Sequence, residues 1–343
     1  MNRKRLPLAA AAVAALLLST ACTAARSEAE LSNDPPQAGY PVTVSNCGKK
    51  YTYERPPSRV VVMNGGSVAE ASALLELGVG DRVVANAQSY GASEVDGRVD
   101  AIRQLPTGNI KLNDMSDIPR EAMIGLTPDL VISTYDGGFR AEAGFATRDD
   151  LAAVGANTYA PESSCGEVGT VKGTPTIEDS YTLLRDLGTI FGVSERAEKI
   201  IADSRAHIAG VGAKTANLPK QKVMLIIPGM AMGGEFSSVG GNGIWNDIMA
   251  KSGAMNAFEG ATDQMFASLS REQVAKADVD ALLVVNYMSK DPEGDARKLL
   301  AQFPQWDAAK NNRYVVLSDS IYLGPSNHLA VEKIARAVHP EVF

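Results

Sequence analysis

The hydrophobic positions of the chain alternate between short apolar runs and stretches with helical spacing. Residues 60–63 (VVVM) and 130–132 (LVI) are apolar runs of strand length, and residues 68–77 between them have the spacing of a helix ended by Gly78. Further strands are expected at 82–85, 157–159, 223–227, 281–285 and 313–317, and further helices at 147–154, 177–191, 244–249 and 328–338. Alternation of this kind predicts an α/β fold whose mostly parallel sheets are covered on both faces.

One predicted helix is longer than a connection between neighbouring strands requires. Apolar or small residues recur at helical spacing from Ala197 to Val211, and Ser194 precedes them as an expected N-cap. About 20 residues of helix span roughly 30 Å. We therefore expect this helix to bridge two lobes.

Two segments of the chain repeat each other. Residues 118–134 align without a gap on residues 269–285, so that Arg120 falls on Arg271, Glu121 on Glu272 and Asp129 on Asp280. Both segments predict a short helix that leads into an apolar strand, and Ser270 with Gln273 has the pattern of a capping box. The repeat indicates a structural duplication, and the predicted fold is two Rossmann-like lobes joined by a single long helix.

Length and charge limit the class of protein. The chain has 343 residues, which suits two lobes, and its 33 basic and 40 acidic residues give a net charge of −7. A mildly acidic chain with no basic stripe has no general attraction for nucleic acid.

The N-terminal residues have the pattern of an export signal. Arg3, Lys4 and Arg5 precede an apolar segment too short to span a bilayer, and small residues then lead to Cys22 as in a bacterial lipobox. We expect an exported protein, lipid-anchored through Cys22 to the outer face of the cytoplasmic membrane; the alternative is an ordinary secreted chain. The expected divisions are a signal peptide (1–21), a lipidated N-terminus and tether (22–46), a first α/β lobe (47–173), connecting helices (174–215) and a second α/β lobe (216–343).

Two cysteines remain after Cys22. Cys47 and Cys165 are too far apart in sequence for a CxxC redox or zinc motif. In an oxidising compartment we interpret them as one structural disulfide, with two free thiols as the alternative.

The sequence contains no motif for catalysis or for a resident metal. It has no GxSxG, HExxH or GxxxxGK[ST], and the glycine-rich residues 240–243 are interpreted as a loop. The only three histidines are His207 and His339, both expected at the surface, and His328, expected at a helix start. We therefore predict neither an enzyme nor a metal centre built from protein ligands.

Large side chains instead cluster just beyond the ends of the predicted strands. Ligands of open α/β sheets bind at these carboxyl edges. The candidate ligand-binding residues are Met63, Asn64, Tyr90, Tyr135, Phe139, Arg140, Met232, Phe236, Trp245, Phe266, Tyr287 and Tyr322. Two lobes that face each other with such edges predict a roomy, largely apolar cleft.

Several short motifs together resemble a known family. They are PPSRVVV (56–62), LLELGVGDRVV (74–84), LTPDLVI (126–132), LGTIFGVSERA (187–197), SREQV (270–274) and NRYVV (312–316). In order and spacing they are similar to the substrate-binding lipoproteins of ABC importers for ferric siderophores, haem and cobalamin. The start at Asn46-Cys47-Gly48 and the later Cys165 resemble an actinobacterial branch labelled iron-siderophore binding.

The resemblance implies a fold and a set of roles. The fold would be that of class III periplasmic-binding proteins, and the chain would act as a monomer with an ABC permease dimer and its ATPase. Glu121 and Glu272 match the positions that dock into the permease, and Arg140 and Arg148 are candidates for pairing with an anionic ligand. The ligand would be an iron–siderophore complex held without a covalent bond. A corrinoid, haem, or a sensor lipoprotein without transport remain alternatives.

Overall fold

A β-hairpin opens the part of the chain described by this computed structural model, which comprises residues 37–65, 67–110, 117–166, 173–228, 235–287 and 289–343. Strand β1 (Val42–Asn46) pairs antiparallel with β2 (Lys49–Tyr53). The amide of Asn46 donates to the carbonyl of Ala160 at 2.7 Å, and Cys47 is bonded to Cys165 with their Cα atoms 5.2 Å apart. The tether predicted to extend to residue 46 therefore includes a strand, in which the alternating Val44 side chain is buried in the main hydrophobic core.

The first parallel sheet has the strand order β4-β3-β5-β6. Its strands are β3 (Val60–Val62), β4 (Val83–Asn86), β5 (Leu130–Ile132) and β6 (Asn157–Tyr159), and its helices are α1 (Ala69–Glu76), α2 (Arg98–Arg103), α3 (Arg120–Gly125) and α4 (Arg148–Ala153). All three residues of β3 and of β5 are buried. These strands are covered on both faces, which explains why the sequence shows unbroken apolar runs there.

Two helices follow the first sheet. They are α5 (Ile177–Ile190) and α6 (Ser194–Thr215), and the 22 residues of α6 span about 33 Å. The predicted N-cap is wrong by one residue, since Val193 holds that position and Ser194 is already helical. The cause is the short connection from α5: Gly192 adopts a left-handed φ of 68°, and the N–H of Val193 donates to the carbonyl of Gly188.

The second parallel sheet has the order β12-β11-β7-β9. Its strands are β7 (Gln221–Ile226), β9 (Ala254–Asn256), β11 (Ala281–Val285) and β12 (Tyr314–Leu317), while β8 (Phe236–Val239) pairs separately with β10 (Phe266–Leu269). Its helices are α7 (Ile244–Lys251), α8 (Arg271–Lys276), α9 (Pro292–Gln302), α10 (Asp307–Lys310) and α11 (Asn327–Val338). The predicted capping box at α8 is confirmed, since Ser270 and Gln273 exchange both bonds. The α/β fold with two such sheets is confirmed as well.

The hydrophobic core ties both sheets to the connecting helices. One continuous cluster contains Val60 and Leu130 from the first sheet, Leu283 from the second, and Leu184 and Ile201 from α5 and α6. The opposite face of each sheet has a smaller cluster of its own. The helices between the sheets are therefore part of a shared core rather than a flexible linker.

Candidate ligand cleft and docking faces

A cavity of about 630 Å³ lies at the carboxyl ends of β3 and β4. Most of its wall comes from the first lobe, and Tyr287, just after β11, closes it from the second lobe. The lining residues are Asn64, Val68, Asn86, Ala87, Gln88, Ser89, Tyr90, Gly91, Ala92, Ser93, Val99, Ile102, Arg103, Leu105, Thr107, Ile110 and Tyr287. The size and the mixture of apolar groups, neutral polar groups and the single charged Arg103 among the described lining residues are those of a small-molecule site.

A buried carboxyl group supports the wall behind this cavity. Glu70 of α1 is fully buried, and its Oε2 accepts hydrogen bonds from Gln88 Nε2 at 2.6 Å and Thr134 Oγ1 at 2.8 Å. Burial raises the pKa of the Glu70 carboxyl. Gln88 Oε1 in turn accepts the N–H of Ala71 at 3.1 Å. The side chain of Gln88 is thus held by the protein and fixes the segment that follows β4.

A second carboxyl group lies beside Asn64. Asp117 Oδ1 accepts the backbone N–H groups of Asn64 at 3.1 Å and Ile118 at 2.8 Å. Burial raises the pKa of Asp117 to about 6, although the two N–H donors favour its charged form. The edge of β3 therefore carries an acidic group that titrates near neutral pH.

Five of the predicted aromatic residues form a connected row of rings. Tyr90 lies 5.5 Å from Tyr287 and 5.6 Å from Tyr322, measured between ring centroids. Tyr322 meets Trp245 at 6.3 Å, and Trp245 meets Phe266 at 5.3 Å. Burial raises the pKa of Tyr322 to about 12, and burial together with Tyr322 raises the pKa of Tyr90 well above its usual value. The row starts in the first lobe and continues in the second.

The structure places other predicted ligand residues away from the cavity. Phe139 is buried beneath the guanidinium of Arg148 at 4.4 Å, and Phe236 packs on Phe303 at 5.4 Å. Met63 is buried in the same core cluster as Phe139. Met63 and Phe139 come after β3 and β5, whereas Phe236 begins β8, and all three side chains take part in packing contacts.

Two further predicted ligand residues, Tyr135 and Arg140, stand apart from both groups. Tyr135 is half-buried, and its pKa is raised by burial and by the charge of Asp117. Arg140 is exposed, with its Nε 3.4 Å from the carbonyl oxygen of Gly137. Met232 lies outside the described residues. Neither Tyr135 nor Arg140 lines the cavity.

Arg148 is held by its own lobe. Its Nε and one terminal nitrogen bind Asp136 Oδ1 at 2.9 and 2.7 Å, and its other terminal nitrogen binds Thr158 Oγ1 at 2.7 Å. Its side chain is only 12% exposed. Arg148 therefore stabilises the first lobe, and it is not placed to pair with a ligand in the cavity.

The cavity includes several residues that the sequence analysis missed. Val99, Ile102 and Leu105 line it from α2 and the turn after it, together with Thr107 and Ile110. Their spacing of three residues is helical, so the sequence carried a signal for an amphipathic helix here. What the spacing could not indicate is that the apolar side of this helix faces a cavity as well as the core.

The repeated segments occupy equivalent places in the two lobes. Asp129 accepts the backbone N–H of Ser58 at 2.7 Å before β3, and Asp280 accepts that of Lys222 at 2.7 Å within β7. In each lobe the aspartate of the repeat, which precedes β5 or β11, therefore binds the backbone at the neighbouring strand, β3 or β7.

In the repeat, the two arginines form ion pairs within their lobes, whereas the two glutamates are exposed at the surface. Arg120 binds Asp150 at 2.6 Å and Arg271 binds Glu235 at 2.7 Å, so both arginines are engaged inside their lobes. Glu121 and Glu272 are exposed in the first turns of α3 and α8, and Glu272 also meets Lys276 at 2.6 Å.

The three histidines form contacts within the protein, and Cys47 and Cys165 are bonded to each other. His339 is buried, with its Nε2 3.1 Å from the Gly253 carbonyl, so the expectation of a surface position is wrong; the end of α11 folds back on the turn after α7. His207 binds Glu332 at 2.7 Å, and its ring lies 5.2 Å from that of His328. Among the described residues, the only three-residue group with metal-ligand spacing is Cys47, Glu162 and Cys165, where the disulfide occupies both sulfur atoms. In the same part of the chain no helix is both long and apolar enough to cross a bilayer.

Comparison with known proteins agrees with this arrangement. A structure from Veillonella parvula described as a periplasmic binding protein superposes with a TM-score of 0.69 at 22% identity, covering 87% of this chain and 97% of the other. A structure from Saccharomonospora viridis, described as an ABC-type Fe3+-hydroxamate transport system, gives 0.67 at 23% identity, covering 88% and 99%. An apo periplasmic haem-binding protein from Roseiflexus sp. RS-1 gives 0.59 at 21% identity, covering 83% and 99%.

These structures share the fold at identities too low to transfer a ligand. No curated protein is similar enough in sequence to match the chain. The model of the family described as periplasmic binding protein, by contrast, matches residues 60–321, which include both sheets and the connecting helices. The chain therefore belongs to the periplasmic binding protein family, whose members are extracytoplasmic substrate-binding receptors rather than enzymes.

Proposed function

We propose that this protein is the receptor of an ABC importer and binds a ferric siderophore in the cavity between its lobes. The observation that carries the proposal is the cavity itself, which lies at the carboxyl edge of a parallel sheet and is closed by Tyr287 of the other lobe. Among the described residues, its lining contains no histidine, cysteine or carboxylate. A chelator that already satisfies the iron needs shape, aromatic surface and hydrogen bonds from the protein, whereas a bare ion needs ligands.

Haem and corrinoids are the competing ligands. The Roseiflexus neighbour is a haem-binding protein, and Tyr90 and Tyr287 supply phenol groups at the cavity. A haem receptor would use such a group as an axial ligand. Burial raises the pKa of the Tyr90 phenol, which disfavours at this residue the phenolate form that binds ferric haem.

The ligand is tested by titration with a panel of compounds. Ferric trihydroxamate, ferric tricatecholate, haem and cobalamin would each be titrated while tryptophan fluorescence is recorded. Trp245 reaches the cavity through Tyr322 and Tyr90, whereas Trp306 is buried against Phe303 at 4.5 Å. We expect a saturable change with one ferric siderophore that survives Trp306→Phe and disappears with Trp245→Phe. If haem or cobalamin saturates the protein and neither ferric siderophore does, the siderophore proposal is contradicted.

Docking and anchoring complete the proposal. Glu121 and Glu272 are exposed at equivalent places on the two lobes, an arrangement that suits a two-fold symmetric permease. We propose that the protein is attached to the membrane through a lipid on Cys22, which lies outside the described residues. We also propose that the first lobe starts at the β1–β2 hairpin rather than at residue 47. Intact-mass analysis of the mature protein should find an acylated Cys22, and an unmodified chain that starts beyond it would contradict the anchor.

A further inference from the structure

A buried glutamate of the first lobe is bound by the backbone of the second. The Glu94 side chain is 4% exposed, and its Oε1 accepts the N–H of Ser318 at 2.6 Å while its Oε2 accepts the N–H of Ser320 at 3.2 Å. Lys333 of α11 adds an ion pair at 3.3 Å. A buried carboxylate is costly unless it is fully paired, and here every partner comes from the other lobe.

A further hydrogen bond runs in the opposite direction, from the backbone of the first lobe to a side chain of the second. Asp319, between the two serines, accepts the backbone N–H of Glu94 at 3.3 Å through its Oδ1. Each acidic residue therefore binds the backbone of the opposite lobe. We call Glu94, Ser318, Asp319, Ser320 and Lys333 the interlobe clasp.

The clasp is continuous with the cavity wall. Residues 89–93, which directly precede Glu94, all line the cavity, and Tyr90 among them packs on Tyr287 and Tyr322. Moving Glu94 away from Ser318 and Ser320 would displace this wall. The contacts of the clasp are polar, so water can form the same hydrogen bonds when the lobes separate. The apolar contacts of the shared core around α5 and α6 cannot be replaced by water in this way.

We propose that the interlobe clasp holds the 89–94 wall closed over the ligand cavity and has to open for ligand to enter or leave. The proposal rests on the cavity being the ligand site proposed above. Glu94 and Asp319 are then positioning residues, since they act on the ligand through the wall that they hold.

Protonation should change the strength of the clasp. The groups that face Asp319 and Glu94 are each other, Lys333, Ser93 and the Tyr90 phenol. The pKa of Asp319 is raised to about 6 by burial and by the charge of Glu94. A raised pKa means that the closed clasp binds the proton better than the open one, so the clasp is tighter below pH 6 and weakens as the pH rises through 6.

Amide hydrogen exchange tests the clasp directly and without ligand. The amides of Ser318 and Ser320 donate to Glu94, so Glu94→Ala should speed their exchange roughly 10- to 100-fold and also speed exchange in residues 89–93. The buried strand amides of Leu283 and Val284 should be unchanged, and Glu142→Ala, an exposed glutamate of the same lobe, should have no effect. Unchanged exchange at both serines, or an equal rise in β11, would overturn the proposal.

A milder variant keeps the test open if Glu94→Ala does not fold. After correction for the intrinsic pH dependence of exchange, the wild-type serine amides should be better protected at pH 5 than at pH 7.5. In the Asp319→Asn variant, the two serine amides should be as well protected at pH 7.5 and at pH 5 as they are in the wild type at pH 5. The reason is that asparagine removes the charge of Asp319 and keeps a hydrogen-bond acceptor. A variant that retains the wild-type pH dependence would contradict the role of Asp319. These measurements do not involve ligand, so a titration panel in which nothing binds would contradict the proposed function and leave the exchange results standing.

Discussion

At the scale of single residues, the two arginines considered for ligand binding have opposite surroundings. Arg148 is nearly buried and binds Asp136 and Thr158, whereas Arg140 is exposed. Both come after β5 in the chain, and the resemblance made both candidates for pairing with an anionic ligand. Their difference predicts different effects when each is replaced.

Arg148→Met should destabilise the protein, and Arg140→Met should not. Removing Arg148 leaves Asp136 without its ion pair and Thr158 without a charged donor, at a cost of about 2–3 kcal/mol in the free energy of unfolding. The exposed Arg140 should cost no more than about 0.5 kcal/mol. Urea unfolding of the two variants gives the comparison, and equal stability of both would contradict a structural role for Arg148.

Asp117 should make the protein more stable as the pH falls toward 5. Its folded pKa of about 6 lies above the ordinary value of 3.8, so its charged form is disfavoured in the fold and the protein gains stability as the pH falls from 7 through 6. We expect Asp117→Asn to be more stable than the wild type at pH 7.5 by about 1–2 kcal/mol. This difference should vanish near pH 4, as measured by thermal melts across the range. A difference that grows in acid would show that Asp117 is stabilised as a carboxylate.

At the scale of elements, the hairpin β1–β2 is attached to the first lobe by two kinds of bond. The disulfide from Cys47 to Cys165 closes a separation of 118 residues, and Asn46 exchanges hydrogen bonds with Ala160 beside it. The alternating pattern of the hairpin was hidden in a stretch that the composition assigned to a tether. The cysteines indicated the disulfide from sequence, but the Asn46–Ala160 hydrogen bonds depend on tertiary structure, because Ala160 lies after β6.

Removing the disulfide should weaken the whole protein and not only the hairpin. The Cys47→Ser/Cys165→Ser double variant should lose about 2–4 kcal/mol in the free energy of unfolding, because the bridge restricts the unfolded chain over a long loop. Asn46→Ala in the intact background is the local control, with an expected cost of about 1–3 kcal/mol for the buried groups that it leaves unpaired. Urea midpoints measure both, and an unchanged midpoint for the double variant would contradict the global effect.

At the scale of the whole molecule, the two exposed glutamates should matter for transport alone. Glu121→Ala and Glu272→Ala should each change stability by no more than about 1 kcal/mol and leave ligand affinity unchanged, since neither lines the cavity. Uptake should fall with each replacement and nearly vanish with both, because losing one partner of a desolvated interfacial ion pair costs about 2–5 kcal/mol. Glu142→Ala is the matched control. Weakened ligand binding with normal uptake per bound ligand would place the two glutamates in the binding site instead.

The sequence by itself determined seven of the eight strands of the two parallel sheets and their order along the chain. The apolar runs predicted β3, β5 and β11, the helical spacing predicted α6, and the repeat placed Glu121 and Glu272 at equivalent positions, because burial on both faces and helical periodicity leave local patterns. The site was predicted less well. Of twelve selected residues, Asn64, Tyr90 and Tyr287 line the cavity.

Only the tertiary structure decided which side chains meet. Phe139 and Phe266 were predicted alike, yet Phe139 packs under Arg148, whereas Phe266 begins β10 and joins the row of rings that reaches Tyr90. Glu94 carries no motif, and its role depends on backbone groups more than 200 residues later in the chain. Local sequence pattern reports whether a residue is buried, but contacts between distant segments depend on the turn geometry and on how the two sheets face each other.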